Sequence, residues 1–111
     1  MNEEEVLQNL ILEFRRGTLS LSVLSVLQKE KYGYALLQEL EEKSLQIDQS
    51  TLYPLLRRLE SQGLLESDWK LEDAKQRKYY KLTEDGKRVY EKLKSHWLAM
   101  VQVVDNILKE G

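Results

Sequence analysis

The feature that most constrains this chain lies at its C-terminal end. Thr83-Glu84-Asp85 is a strong helix start, with acid at the positive end of the helix dipole. From there Tyr90, Leu93, Trp97, Met100, Val104 and Ile107 step 3, 4, 3, 4, 3, a heptad seam supplemented by Val89, Val101 and Leu108. At 1.5 Å per residue a helix over 83–110 spans about 40 Å, more than a small domain needs to cover its core. Its apolar stripe must therefore find another surface. The N-terminus has the same surplus. Asn2 and Glu5 form a capping box, and Val6, Leu7, Leu10, Ile11 and Phe14 recur at helical spacing up to Gly17, which reads as a stop, so a helix is expected over 1–16. The simplest solution is a homodimer in which the terminal helices of two copies pack together. The expected interface is Val6, Leu7, Leu10, Ile11 and Phe14 with Tyr90, Leu93, Trp97, Met100, Val104 and Ile107.

Composition excludes much chemistry. The chain has 111 residues, no Cys and a single His, so thiolate nucleophiles, disulfides, Cys-based zinc sites and a two-His metal helix are all absent. Its five Gly are scattered, and neither a phosphate-cradling loop nor a dinucleotide-binding turn can be written. No set of nucleophile, base and oxyanion donors can be assembled, so an enzyme is not expected, nor is any cofactor or metal. The N-terminal Met-Asn-Glu-Glu-Glu is the reverse of a signal peptide's positive flank, and no apolar run is long enough to span a membrane, which points to a soluble cytoplasmic protein.

Between the terminal helices the pattern changes repeatedly. Residues 18–27 are ambiguous: Leu19, Leu21 and Val23 alternate as in a strand, while Leu21, Leu24 and Leu27 step by three, and helix is the reading adopted. Tyr32-Gly33-Tyr34 breaks the pattern, then Leu36, Leu37 and Leu40 resume a helical period until Glu41-Glu42-Lys43-Ser44. A further helix over about 50–62 follows, with Leu52, Leu55, Leu56 and Leu59 as its apolar face and Gly63 as its end; Pro54 requires a start at Ser50, or a slightly bent helix starting at Asp48. Over 64–82, Leu64 to Trp69 and Arg77 to Leu82 are β-prone runs joined by a charged connection, Lys70 to Gln76, and read as a two-stranded hairpin.

The net charge is −2, yet two segments are basic. Gln49 to Leu59 holds two Arg and no acid, and Ala74 to Leu82 holds Lys75, Arg77, Lys78 and Lys81 and no acid. If folding joins them they make a patch able to meet phosphates; the alternative is a pair of solvated faces. With the leucines of 50–62 turned inward, its outward face carries Ser50, Tyr53, Pro54, Arg57 and Ser61, with Arg58 at the edge. The fold class expected is mainly α with a small β-hairpin (α+β): a winged helix–turn–helix over 18–82 plus N- and C-terminal dimerisation helices.

At this point particular residues carry a family resemblance. Gly17-Thr18-Leu19, Tyr32-Gly33-Tyr34, Ser50-Thr51-Leu52-Tyr53-Pro54-Leu55-Leu56-Arg57-Arg58-Leu59-Glu60 and Arg77-Lys78-Tyr79-Tyr80-Lys81-Leu82-Thr83 resemble the PadR family of transcriptional regulators. With one helix after the wing, the chain is similar to the short subgroup, some of whose members regulate multidrug efflux. The resemblance implies a dimeric repressor that binds double-stranded DNA at an inverted repeat and is released by a small ligand. It implies DNA contacts from Tyr34, Gln49, Ser50, Thr51, Tyr53, Pro54, Arg57 and Arg58, and from Lys75, Arg77 and Lys78 of the wing. Two departures stand out: Lys31 where the family often has Pro, and Asp73-Ala74-Lys75 where the wing usually tightens through Gly.

Several residues carry two readings. Tyr53 either packs on the preceding helix or contacts DNA. Tyr79 and Tyr80 read as wing-to-core packing, one of them buried. Trp97, with Leu93 and Met100, is either a core anchor of the dimer or half of an indole clasp for a planar aromatic effector. His96 is off the seam and reads as surface or dimer-edge decoration. At the level of the whole chain, a DNA-binding regulator competes with a winged-helix protein-interaction module and with a small-molecule-binding dimer, because fold does not fix function.

Overall fold

A computed structural model describes residues 2–111. In chain order the elements are α1 (Glu3–Val26), β1 (Lys31–Tyr32), α2 (Gly33–Glu42), α3 (Gln49–Ser61), β2 (Leu65–Glu72), β3 (Lys75–Leu82) and α4 (Glu84–Glu110), an α+β arrangement. The strands form one antiparallel sheet in the order β1-β3-β2.

Each helix end has a local cause. Asn2 Oδ1 accepts from the Glu5 N–H at 2.8 Å, opening α1. Thr83 Oγ1 accepts from Gly86 N at 2.9 Å and itself donates to the Gly63 carbonyl at 2.6 Å, so the cap of α4 is pinned to the end of α3. Gly63, at φ +80°, closes α3 in a Schellman motif: Leu64 N donates to the Leu59 carbonyl and Gly63 N to the Glu60 carbonyl, both at 3.0 Å. Ser44, at φ 69°, plays the same part after α2.

Three expectations are corrected. The helix stop at Gly17 does not occur: α1 runs unbroken from Glu3 to Val26, joining the expected 1–16 helix to the ambiguous 18–27 segment. An interior Gly costs about 1 kcal/mol relative to Ala, which burial of Val23, Leu24 and Leu27 in the core readily offsets. The hairpin gains a third strand, β1, where Lys31 pairs with Tyr80 and Tyr32 with Tyr79. The expected 70–76 connection is mostly strand, since Glu72 pairs with Lys75 and only Asp73 and Ala74 turn the chain. Both have positive φ, 49° and 63°, the primed turn whose twist matches that of paired strands.

The core gathers Val23 and Leu24 of α1 with Leu27 at its C-cap, the leucines of α2 and α3, and Leu65, Tyr80, Leu82 and Tyr90. Outside it, α1 and α4 project as arms. The radius of gyration, 16.4 Å, exceeds the roughly 13 Å expected of a compact chain of this length. The arms leave Leu7, Leu10, Phe14, Met100, Val104 and Ile107 exposed. Tyr90, expected on the dimer seam, is instead buried in its own chain, its hydroxyl donating to Ser25 Oγ at 3.2 Å. The seam passes through the core before it leaves it.

Candidate nucleic-acid interface

Helix α3 begins one residue before its expected range. Asp48, the second of the two starts considered, is the N-cap: its Oδ1 accepts from Thr51 N at 3.1 Å, from Ser50 Oγ at 2.5 Å and from Thr51 Oγ1 at 3.2 Å. The Ser50 hydroxyl, then the Thr51 hydroxyl and N–H, hold the Asp48 carboxyl below the usual aspartate range. Both hydroxyl protons are therefore engaged in capping, and Ser50 and Thr51 offer an outside partner chiefly acceptor lone pairs. Pro54 sits inside α3, which stays helical from Gln49 to Ser61; lacking an N–H, it leaves the carbonyl of exposed Ser50 without its helical donor.

Leu52, Leu55, Leu56 and Leu59 are buried, which turns Gln49, Ser50, Pro54, Arg57 and Arg58 outward. The two arginines differ. Arg58 Nη2 donates to Ser20 Oγ on α1 at 3.3 Å, while Arg57 has no ion pair among the described residues. Tyr53 is half-buried and packs against the core, its ring so close to Gly33 that a Cβ there would lie 2.7 Å from Tyr53 Cε1. Tyr34 stands exposed in the first turn of α2.

The wing is fixed to this helix. Ser67 Oγ donates to Glu60 Oε2 at 2.5 Å, tying β2 to α3. Tyr80 is buried between them; burial first, then the nearby Glu60 and Tyr53, push its hydroxyl up, and Arg57 opposes the shift. Lys78 Nζ lies 5.6 Å from the ring centroid of this tyrosine, so Tyr80 has a cation from each basic segment in its surroundings.

The wing's charge is far from the +4 that β3 alone suggests. Pairing brings cations of β3 to the acids of β2: Lys81 meets Glu66, its register partner, at 3.4 Å and Arg77 reaches Glu72 near the tip at 3.5 Å, while Lys70 of β2 pairs with Glu30 ahead of β1. Arg77 also lies 4.5 Å over the Tyr32 ring, and the Tyr79 hydroxyl donates to Glu72 Oε1 at 2.5 Å, which pushes Tyr79 up. Lys78 stacks over Trp69 and Tyr80, and Lys75 stands exposed at the tip. Of the expected cationic trio, Lys75 and Lys78 remain without an acid partner among the described residues and Arg77 does not.

A second site lies where the arms meet. A cavity of about 400 Å³ between α1 and α4 is lined by Phe14, Gly17, Leu93, Trp97 and Met100, with Glu13 and His96 at its polar edge. It brings together all three residues expected to hold a ligand. His96, exposed and off the seam, also lines it. Glu13 carried no local signal; it is recruited because α1 continues through Gly17 and runs alongside α4.

A helix, a turn and an exposed second helix, locked to a hairpin whose tip carries cations, define the winged helix–turn–helix class of DNA-binding regulators. Within that class the chain belongs to the transcriptional regulator PadR-like family, which matches residues 23–92. Over the fold it is similar to a PadR family transcriptional regulator from Eggerthella lenta, 42% identical, with a TM-score of 0.89 over 97% of this chain and 96% of that one. It is similar to a PadR-like transcription factor from Bacteroides fragilis, 34% identical, TM-score 0.76, over 89% of this chain and 98% of that one. In sequence it is 37% identical to the transcriptional regulator Rv3488 of Mycobacterium tuberculosis over 68% of this chain and 71% of that protein. Among the described residues, no helix is long and apolar enough to cross a membrane.

Proposed function

We propose that this regulator works in the cytoplasm as a dimeric repressor that places α3 of each copy in successive major grooves of an inverted repeat and lets go when a planar aromatic ligand enters the α1–α4 cavity. The observation that carries the DNA reading is the outward face of α3, where exposed Gln49, Pro54 and Arg57 meet no acid before Glu60. Arg57 reads a base edge or phosphate, and Lys75 and Lys78 neutralise phosphates. The exposed apolar residues of α1 and α4 support pairing of two copies, because patches this long are rarely left to water.

Selection from a random duplex library at two salt concentrations tests this reading. The expected product is an inverted repeat whose half-sites lie about one helical turn apart, roughly 34–36 Å. Recovery of salt-sensitive background alone overturns it.

A second reading has one observation in its favour. Trp69 and Leu71 are exposed on the wing beside a nearly balanced charge pattern, the composition of a protein-binding surface more than of a phosphate-binding one. Loss of duplex selection together with capture of a protein partner dependent on Trp69 would favour it.

A further inference from the structure

The two faces of the wing differ in charge. Alternation along the strands puts Glu66, Asp68 and Glu72 of β2 on one face, together with Tyr79, Arg77 and Lys81 of β3. There Lys81 pairs with Glu66, Arg77 and the Tyr79 hydroxyl meet Glu72, and Lys70 overlies the Tyr79 ring at 4.7 Å. The other face carries Ser67, Trp69 and Leu71 of β2 beside their register partners Tyr80, Lys78 and Gln76. No acid of either strand stands on it. Its one cation, Lys78, lies 6.0 Å from the Trp69 ring and 5.6 Å from the Tyr80 ring. The balanced charge of the wing therefore belongs to one face alone.

The acid-free face is the one that meets α3. Leu65 and Tyr80 are buried in the core, and Ser67 donates to Glu60 of α3, which engages the acid bordering this face. Past Ser67 the cover ends: Trp69 is 61% and Leu71 67% exposed, while Lys70 and Glu72 on the opposite face are half-buried among their neighbours. At about 3.3 Å per residue Trp69 stands roughly 7 Å and Leu71 roughly 13 Å beyond Ser67, a reach comparable with the ~12 Å width of a major groove. Both side chains sit inside paired strands, opposite Lys78 and Gln76, and not on the two-residue turn. They are held in place before any partner arrives, which lowers the entropic cost of binding.

We propose that Trp69 and Leu71 form an apolar wedge that presses into the minor groove flanking each half-site, an inference that rests on the reading of α3 as the helix of the major groove. The indole and the leucine side chain meet deoxyribose and base edges, Lys78 meets the bordering phosphate, and the Gln76 amide is left for an acceptor on a base edge. The occupant is duplex DNA because the face carries a cation and no acid, and because the same face has Arg57 of α3 in the surroundings of Tyr80. An apolar wedge widens the groove and partly unstacks a step, which is least costly at pyrimidine–purine steps such as TA and CA. The wing then selects flanking sequence by the ease of deforming it, beyond the phosphate neutralisation by Lys75 and Lys78.

The test compares the native chain with Trp69→Thr and Leu71→Thr, which keep strand propensity, in the duplexes each selects from a random library and in titrations across salt. The native chain should enrich pyrimidine–purine steps outside the half-sites. Trp69→Thr should recover the same half-sites with unselected flanks and bind the native duplex about ten-fold more weakly, and Leu71→Thr about three-fold. Because an apolar contact releases no counterion, both should keep the native salt slope, unlike Lys78→Ala. In the native chain labelled with 5-fluorotryptophan, the Trp69 fluorine resonance, assigned with Trp69→Phe, should shift when the selected duplex is added; this readout needs no fold-perturbing variant. Recovery of no half-site by the native chain overturns the DNA reading and the wedge together. The wedge alone is overturned if half-sites are recovered while flanks and affinity are the same without Trp69, or if its resonance does not move, and the exposed face then falls to a protein partner.

Discussion

The guanidinium of Arg15 donates a 2.7 Å hydrogen bond to the backbone carbonyl of Gln46, joining the arm helix α1 to the turn that leads into α3. Gln46 is two residues from Asp48, the cap of α3, and Arg15 is two residues from Glu13, which lines the α1–α4 cavity. One side chain therefore connects the neighbourhood of both sites. Arg15→Ala should lower stability by about 1 kcal/mol, an exposed charge-assisted bond discounted for solvent. If the bond also couples the sites, ligand in the cavity should shift operator affinity less in this variant. Equal ligand response in a DNA titration would reduce Arg15 to a structural tie.

Two helical glycines should respond oppositely to Ala. A Cβ on Gly86 would lie 2.0 Å from the Leu64 carbonyl oxygen, a backbone atom held by the Thr83 N–H at 3.1 Å. Gly86→Ala should cost about 3 kcal/mol or more, the upper end of overpacking. At Gly17 nothing lies within 4 Å of a Cβ, so Gly17→Ala should raise stability by roughly 0.5–1 kcal/mol through helix propensity. Thermal melts of both decide. A destabilised Gly17→Ala would mean that another chain approaches closely there.

On DNA, Arg57 and Arg58 should separate. Arg57→Ala should weaken operator binding by more than about 1 kcal/mol, whereas Arg58→Ala should do less because Arg58 is tied to Ser20. Replacing Lys75 or Lys78 should lower the salt slope of binding by about 1, and replacing Arg77, already paired with Glu72, by less. Equal slopes for all three would show that the Glu72 pair opens on the duplex.

Acid should loosen α3 at its start. Asp48 is held below its ordinary pKa in the folded chain, first by the Ser50 hydroxyl. Its cap is thus fully present above the ordinary aspartate value and is lost as pH falls through the lowered folded value. Stability measured from neutral pH downward should fall in that window. Asp48→Asn, which keeps an accepting oxygen, should flatten this component while preserving α3. An unchanged pH profile would remove Asp48 from the titrating set.

Trp97 should report ligand directly. A planar cationic dye entering the α1–α4 cavity should quench tryptophan emission, and Glu13 at its edge favours cations over neutral analogues. Trp97→Ala should abolish most of the binding. Dye binding of equal affinity in that variant would leave Trp97 as packing alone.

The sequence by itself determined the periodic elements, because apolar spacing and helix caps act within a few residues. The leucine face of α3, the Thr83 start of α4, the Gly63 stop and the outward position of Arg57 are all local consequences of this kind. It also placed Leu93, Trp97 and Met100 on one stripe, and they share one cavity. Where local signals conflicted, tertiary structure decided. Gly17 has a weak propensity to break a helix, and core burial of Val23, Leu24 and Leu27 outweighed it. The pair Asp73-Ala74 has no glycine, yet strand pairing held both residues at positive φ. Charge was the least local property of all. The basic run of β3 meets the acids of β2 only through strand pairing, and lysines from three stretches of chain, Lys29 with Lys31, Lys43 and Lys94, line one recess only through packing of α1, α2 and α4. Electrostatic energy depends on distance in space, and distances between elements exist only once the chain has folded.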